Sequence, residues 1–165
     1  MNFRFGIAVV VLASLIAAPC LAASPSSQSV AAAASSHPGT SARKHHRVVI
    51  QVSENDPKIM NLALNNAENL TKFYEQAGET VQIEIVAYGP GLNMVRSDTS
   101  PVKDRLAALG GHLKHVTFSG CGNTMENQSK QESKNISLLP EVRVVPTGIA
   151  RIVELEEQGW TYIRP

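Results

Sequence analysis

Between residues 47 and 165 the apolar positions repeat with two different periods, and the switches between them mark out the elements. Arg47-Val48-Val49-Ile50-Gln51-Val52 is a β-branched run and predicts a first strand. A helix start follows, with Asp56 placed to cap free amides and Pro57 at the first helical position, where no hydrogen bond is lost. Ile59, Leu62, Ala63, Ala67, Leu70, Tyr74 and Ala77 then fall on one helical stripe, which Gly78 ends. Thr80 to Tyr88 predicts a second strand, closed by the turn Gly89-Pro90-Gly91.

Beyond that turn the pattern predicts a short helix over Leu92–Arg96 and a longer one over Pro101–Leu109, stopped by Gly110-Gly111. A third strand is expected at Leu113–Phe118, a polar surface helix at Thr124–Lys134 and a fourth strand at Val142–Val145. A helix at Thr147–Gln158 and a last strand at Trp160–Ile163 complete the chain. Strands and helices alternate throughout, which implies βα units. The expected fold is α/β, a three-layer αβα arrangement with a mostly parallel sheet of about five strands. No internal repeat interrupts it.

The first 46 residues break this pattern. Residues 1–23 have the parts of an export signal: Arg4 near the start, an apolar run from Ile7 to Ala18, and small residues around Cys20-Leu21-Ala22-Ala23. The run is short of the ~20 residues that a membrane span needs. Cleavage is expected after Ala22 or Ala23, which places the protein in the periplasm or outside the cell and leaves no membrane span. Pro19 makes Cys20 a poor lipid acceptor. Residues 24–46 are rich in Ser, Ala, Pro and Gly, too polar and simple to offset chain entropy, and are expected to be a disordered tether. His37 and the pair His45-His46 could meet at a metal, but a solvated tail is the simpler expectation. The folded domain is thus expected at 47–165, a length that suits one core.

Charge narrows the partners. Arg4 is the only charged residue of the signal, so its removal leaves 14 basic and 14 acidic side chains. A neutral chain has no basic excess to drive binding to nucleic acid, and none is expected as a partner.

Candidate chemistry centres on Cys121. The chain has two cysteines, and Cys20 lies in the expected signal, so the mature chain would hold one thiol without a partner. In an open parallel sheet, ligands gather at the carboxyl ends of the strands. The loops Ser53–Asn55, Tyr88–Gly91, Ser119–Asn123 and Pro146–Gly148 are expected there. In the third of them, Cys121 sits between Gly120 and Gly122. The amides of Gly122, Asn123 and Thr124 would face an anion at the start of the next helix.

A helix N-terminus contributes about 0.3–1 kcal/mol to a nearby charge, and no Lys or Arg adjoins the thiol. His115, six residues earlier, is not placed near it by spacing alone. Modest activation is therefore expected. The alternative is a small, buried, inert residue, against which the glycine flanks argue.

Asn66 is the other residue that stands out. It falls inside the apolar stripe of the first helix and must find partners if buried, and bracing of a βα loop is the commonest such role. Asn61, Asn65 and Asn69 point to the polar face. Gly89-Pro90-Gly91 matches no phosphate or dinucleotide pattern, and no cysteine pair exists for zinc, so no cofactor and no metal are expected.

Several segments resemble the DsrE/DsrF-like family in its single-domain exported branch. They are Leu62–Ala67, Val86–Gly91, Cys121–Met125, Val144–Gly148 and Gln158–Pro165. The resemblance covers the whole domain. It implies small α/β subunits that assemble as homo-oligomers, trimers or hexamers. It also implies a cysteine after the third strand that in some relatives carries sulfur as a persulfide. Cys121 occupies the matching place, with Gly120, Gly122, Asn123, Thr124, Asn66, Tyr88, Gly89 and Gly91 as candidate binding residues. The export signal departs from the cytoplasmic sulfur-relay members, so donor and acceptor stay open. Two functions follow: a sulfur carrier or sulfurtransferase-type protein acting through Cys121, or a non-catalytic ligand-binding or oligomeric scaffold using the same crevice. An exposed, acidified Cys121 favours the first, and a buried one the second.

Overall fold

The computed structural model describes residues 43–165. The expected signal, most of the expected tether and His37 lie outside the described residues. The elements run β1 (His45–Val52), α1 (Pro57–Gln76), β2 (Thr80–Ala87), a 3-10 segment (Gly89–Val95), α2 (Lys103–His112) and β3 (Val116–Cys121). They continue with α3 (Gly122–Glu132), β4 (Val142–Val145), α4 (Gly148–Glu157) and β5 (Thr161–Ile163).

All neighbouring strands are parallel, in the order β4-β3-β2-β1-β5. From β1 to β4 the chain steps one way across the sheet, and right-handed crossovers then put their helices on one face. On that face Ile50, Ile83, Ile85 and Phe118 pack against Met60 and Leu64 of α1, Leu92 and Met94 of the 3-10 segment, and Leu106 of α2, with Met125 of α3 alongside. The last crossover, from β4 to β5, goes back over the whole sheet. It lays α4 alone on the opposite face, where Ile152 and Leu155 pack on Val49 and Val86 beside Tyr88 and Trp160. The fold is α/β with three αβα layers, as expected. Among the described residues no helix is long and apolar enough to cross a membrane.

Several local expectations change. Asp56 caps α1 through the Lys58 amide at 2.8 Å, and Pro57 opens it. The buried face of α1, however, is Met60, Ala63, Leu64, Ala67 and Thr71. It is turned by about one position from the expected stripe, whose Leu62 is 42 % exposed. Thr71 tolerates burial because its hydroxyl donates to the Ala67 carbonyl at 2.8 Å and meets the His115 ring at 2.9 Å. Gly110 and Gly111 lie inside α2 rather than stopping it.

The first strand begins at His45, two residues before the expected domain start. His46 stacks on Tyr74 at 3.9 Å and touches Glu79 at 2.7 Å, and His45 meets Thr80 at 2.8 Å. The histidine pair is therefore part of the sheet rather than of a tail. The polar face of α1 also has a task. Arg105 of α2 reaches Asn61 at 2.7 Å, Asn65 at 2.9 Å and Glu68 at 2.7 Å, tying the two helices together.

Gly91 meets the end of β1 more closely than any side chain would allow. A Cβ added there would stand 2.3 Å from the Val52 carbonyl oxygen, a backbone atom with little freedom to move. Gly91→Ala is expected to cost about 1–3 kcal/mol in a denaturant melt. Gly111→Ala, where an added Cβ meets nothing within 4 Å, is expected to be neutral or to stabilise by up to about 1 kcal/mol.

Candidate functional site

The strand order fixes where a crevice opens. The helix after β3 and the helix after β4 lie on opposite faces of the sheet, so the chain parts at the carboxyl ends of these two strands. Cys121 is the last residue of β3 and pairs with Val145, the last of β4. It is not in a loop, as its glycine neighbours suggested. β3 begins three residues later than expected, at Val116, because Leu113 and Val116 close a turn with a 2.9 Å amide–carbonyl bond. Gly120 is then a strand residue, packed under Leu138, Leu92 and Val95. The thiol is buried, with 3 % of the residue exposed.

Cys121 is at once a strand end and a helix cap. Its sulfur accepts the Thr124 amide of α3 at 3.4 Å, in the position usually held by Ser, Thr or Asp. Gly122 brings α3 tight against β4, since a Cβ there would lie 3.2 Å from the Val145 carbonyl oxygen. The Asn123 amide donates to the Pro146 carbonyl at 3.1 Å. These contacts hold the first turns of α3 and α4 side by side.

The sulfur thus lies at the start of α3, bonded directly by the Thr124 amide. Burial raises the thiol pKa, but hydrogen bonds from the Thr124 hydroxyl and from the amides of Gly148, Thr124 and Asn123 outweigh it. The pKa lies below the ordinary thiol value, the direction expected at a helix start, and no charged side chain contributes to the shift. The Thr124 hydroxyl has a defined role. It accepts the Gly89 amide at 3.0 Å, which leaves its hydrogen to donate to the sulfur. Gly89, at φ +53°, adopts the left-handed turn that aims this amide, and its carbonyl accepts from Gln128 of α3 at 3.3 Å.

The other expected site residues divide. Tyr88, at the end of β2, packs against Gly148, where an added Cβ would stand 2.8 Å from the tyrosine Cβ. Burial and Tyr162 raise the Tyr88 pKa, while Arg164 opposes them. Gly91 serves packing against β1 rather than the site. Asn66 is not part of the site. It lines a groove of about 490 Å³ with Leu70, Phe73 and Ile163 beside β5. Among the described residues its side chain makes no hydrogen bond, so it braces no loop.

His115 lies at the start of β3, a strand's length of roughly 20 Å from the thiol. It lines a cavity of about 510 Å³ with His45, Glu75 and Glu79 at the far end of the sheet. Two clefts flank the thiol's neighbours instead. One of about 450 Å³ runs between α3 and β4, past Gly122, Met125 and Val144. The other, about 260 Å³, runs between β4 and α4, past Arg143, Pro146 and Thr147. Among the described residues no three His, Cys, Asp or Glu are grouped to hold a metal.

Sequence reasoning missed the contribution of α4. The Gly148 backbone, at the α4 start, helps lower the pKa of a thiol 27 positions earlier in the chain. Under the same helix, Glu84 is 2 % exposed and takes two bonds from Arg151, at 2.9 and 2.8 Å, and one from Ser119 at 2.7 Å. The available signal was an acid inside the apolar strand Val81–Val86.

Among solved structures, the chain is similar to MTH1491 from Methanobacterium thermoautotrophicum, described as a protein of unknown function. The two share 35 % identity with a TM-score of 0.62, over 73 % of this chain and 99 % of that one. The chain belongs to the same family as MTH1491. No family model and no curated protein matches it.

Thr124→Val keeps the shape but removes the hydroxyl donor, and it is expected to slow alkylation of the folded thiol at neutral pH roughly tenfold. Thr124→Ser should restore most of the rate. Equal rates in all three proteins would show that the hydroxyl does not act on the sulfur.

Proposed function

We propose that the protein is an exported sulfur carrier or sulfurtransferase-type protein that holds a persulfide on Cys121. The observation that carries this is a thiol at a strand end that caps the next helix, its sulfur accepting the Thr124 amide at 3.4 Å, with the thiol pKa lowered by hydrogen bonding despite burial. Such hydrogen bonds suit a thiolate before reaction and the negative charge on sulfur during transfer. The resemblance to the DsrE/DsrF-like family supports the same reading. So does the expected signal, which makes the site of action the periplasm or the exterior.

The reaction needs no oxidant beyond the donor. The Cys121 thiolate attacks a sulfane sulfur of a polysulfide, a sulfur–sulfur bond in the donor breaks, and the shortened polysulfide leaves with the electron pair. With thiosulfate the leaving group is sulfite. An acceptor nucleophile then attacks the outer sulfur, and the Cys121 thiolate departs. Exposed Leu62, Phe73, Ile149 and Val153 support assembly into homo-oligomers, trimers or hexamers.

One observation favours a second reading. With 3 % of Cys121 exposed, the crevice is closed over the sulfur, as in a non-catalytic ligand-binding or scaffold module.

Intact-mass spectrometry of the mature protein after exposure to polysulfide or thiosulfate separates the two. The carrier gains one sulfur, loses it to mild reductant, and gains none as Cys121→Ser. A wild-type mass unchanged by either donor would leave the scaffold.

A further inference from the structure

Glu84 and Arg151 form a charged pair across the second face of the sheet, in a place where stability does not call for one. Glu84 lies mid-strand in β2 at 2 % exposure, and the Arg151 guanidinium grips both of its carboxylate oxygens, at 2.9 and 2.8 Å. Burying such a pair costs desolvation that its attraction only partly offsets, and apolar replacements are often as stable. What the pair does supply is fixed geometry. A planar fork on a carboxylate sets both distance and direction.

The geometry it fixes is that of the first turn of α4. Arg151 stands three residues after Gly148, and its own amide closes that turn on the Thr147 carbonyl at 3.0 Å. Ser119, the third partner of Glu84, is two residues before Cys121 on β3 and on the same face of the sheet. One carboxylate thus joins β2, the end of β3 and the start of α4. Tyr88 limits the approach from the other side, since Gly148 has no room for a Cβ against it. Thr147 makes no side-chain cap at this helix start.

We propose that the Glu84–Arg151 pair is the positioning element of the sulfur site, holding the α4 start over the end of β3, where Cys121 pairs with Val145 and the Asn123 amide bonds the Pro146 carbonyl. The inference rests on the reading of Cys121 as a reactive thiolate. It deepens that reading by giving two residues that never touch the sulfur a defined effect on it. The remaining charges around the pair are Arg143 on β4, which also lowers the Glu84 pKa, and Glu154 on α4, which accepts from Arg151 at 3.4 Å.

The test compares the full mature chain with its Arg151→Met, Arg151→Lys, Glu84→Gln and Leu155→Ala variants. The readouts are the thiolate fraction at neutral pH, from ultraviolet absorbance against a matching Cys121→Ser background, and the melting temperature. Loss of one hydrogen bond to an anion is expected to reduce the ratio of thiolate to thiol roughly three- to tenfold in Arg151→Met, with Arg151→Lys recovering part of it. Leu155, fully buried on the same helix, reports general loosening of α4. Its Ala variant should melt lower and keep the wild-type thiolate fraction.

A wild-type thiolate fraction in folded Arg151→Met, or an equal loss in Leu155→Ala, would overturn the inference. Should Arg151→Met not fold, Glu84→Gln and Arg151→Lys decide by the same two measures. The proposed function fails separately, if an activated thiol takes up no sulfur. A wild-type thiol that titrates like a free cysteine would overturn both.

Discussion

The chain crosses its parallel sheet in one direction up to β4 and turns back once, to β5. Everything at the candidate site depends on that reversal. Up to β4 each crossover steps the same way and lies on the same face. The return to β5 carries α4 over the other face, so α3 and α4 start from adjacent strand ends and diverge. Cys121 sits where they part. The starts of α3 and α4 meet there, at adjacent strand ends.

Burial and hydrogen bonding pull in opposite directions at that sulfur. Removal from water favours the neutral thiol, whereas hydrogen bonding favours the anion, and hydrogen bonding prevails in the direction of the shift. Glu84, joined to β3 through Ser119, resolves the same conflict: burial raises its pKa, and Arg151 and Ser119 bring it below the usual carboxylate value. The small core under α4 therefore borders two groups whose pKa values directed donors lower. Its apolar part is only Val49, Val86, Ile152 and Leu155 with two flanking aromatics. The thick core on the opposite face holds the fold together. That division leaves the second face to be shaped by polar geometry. It also leaves Arg96, clamped between Asp98 and Glu132, to fasten the 3-10 segment to α3 from the outside.

Much of the fold was legible in the sequence because periodicity reports burial directly. The αβα alternation, the Asp56-Pro57 helix start and the bounds of β4 all followed from local pattern. The misplacements share one cause, in that tertiary contacts overrode local signals. The Gly-Cys-Gly pattern suggests a loop at Gly120, but it is a strand residue with Leu138 packed over it. Gly110-Gly111 suggests a stop by composition, yet α2 runs on to His112. The stripe of α1 was off by one position because Thr71, polar by composition, is buried against His115. The site was half legible. Its local half, Cys121 and the α3 amides, follows from a cysteine before a helix start. Gly148, Glu84 and Arg151 reach the site only through strand order, which no local window contains.

Titration of the Cys121 thiol, folded and in denaturant, tests the central claim most directly. The ultraviolet absorbance of the thiolate, read as the difference from Cys121→Ser, gives both midpoints in one protein. If helix starts and the Thr124 hydroxyl hold the sulfur as an anion, the folded midpoint lies below the unfolded one. A folded midpoint equal to or above it would mean that burial prevails at Cys121, and the thiol would be a packed, inert residue.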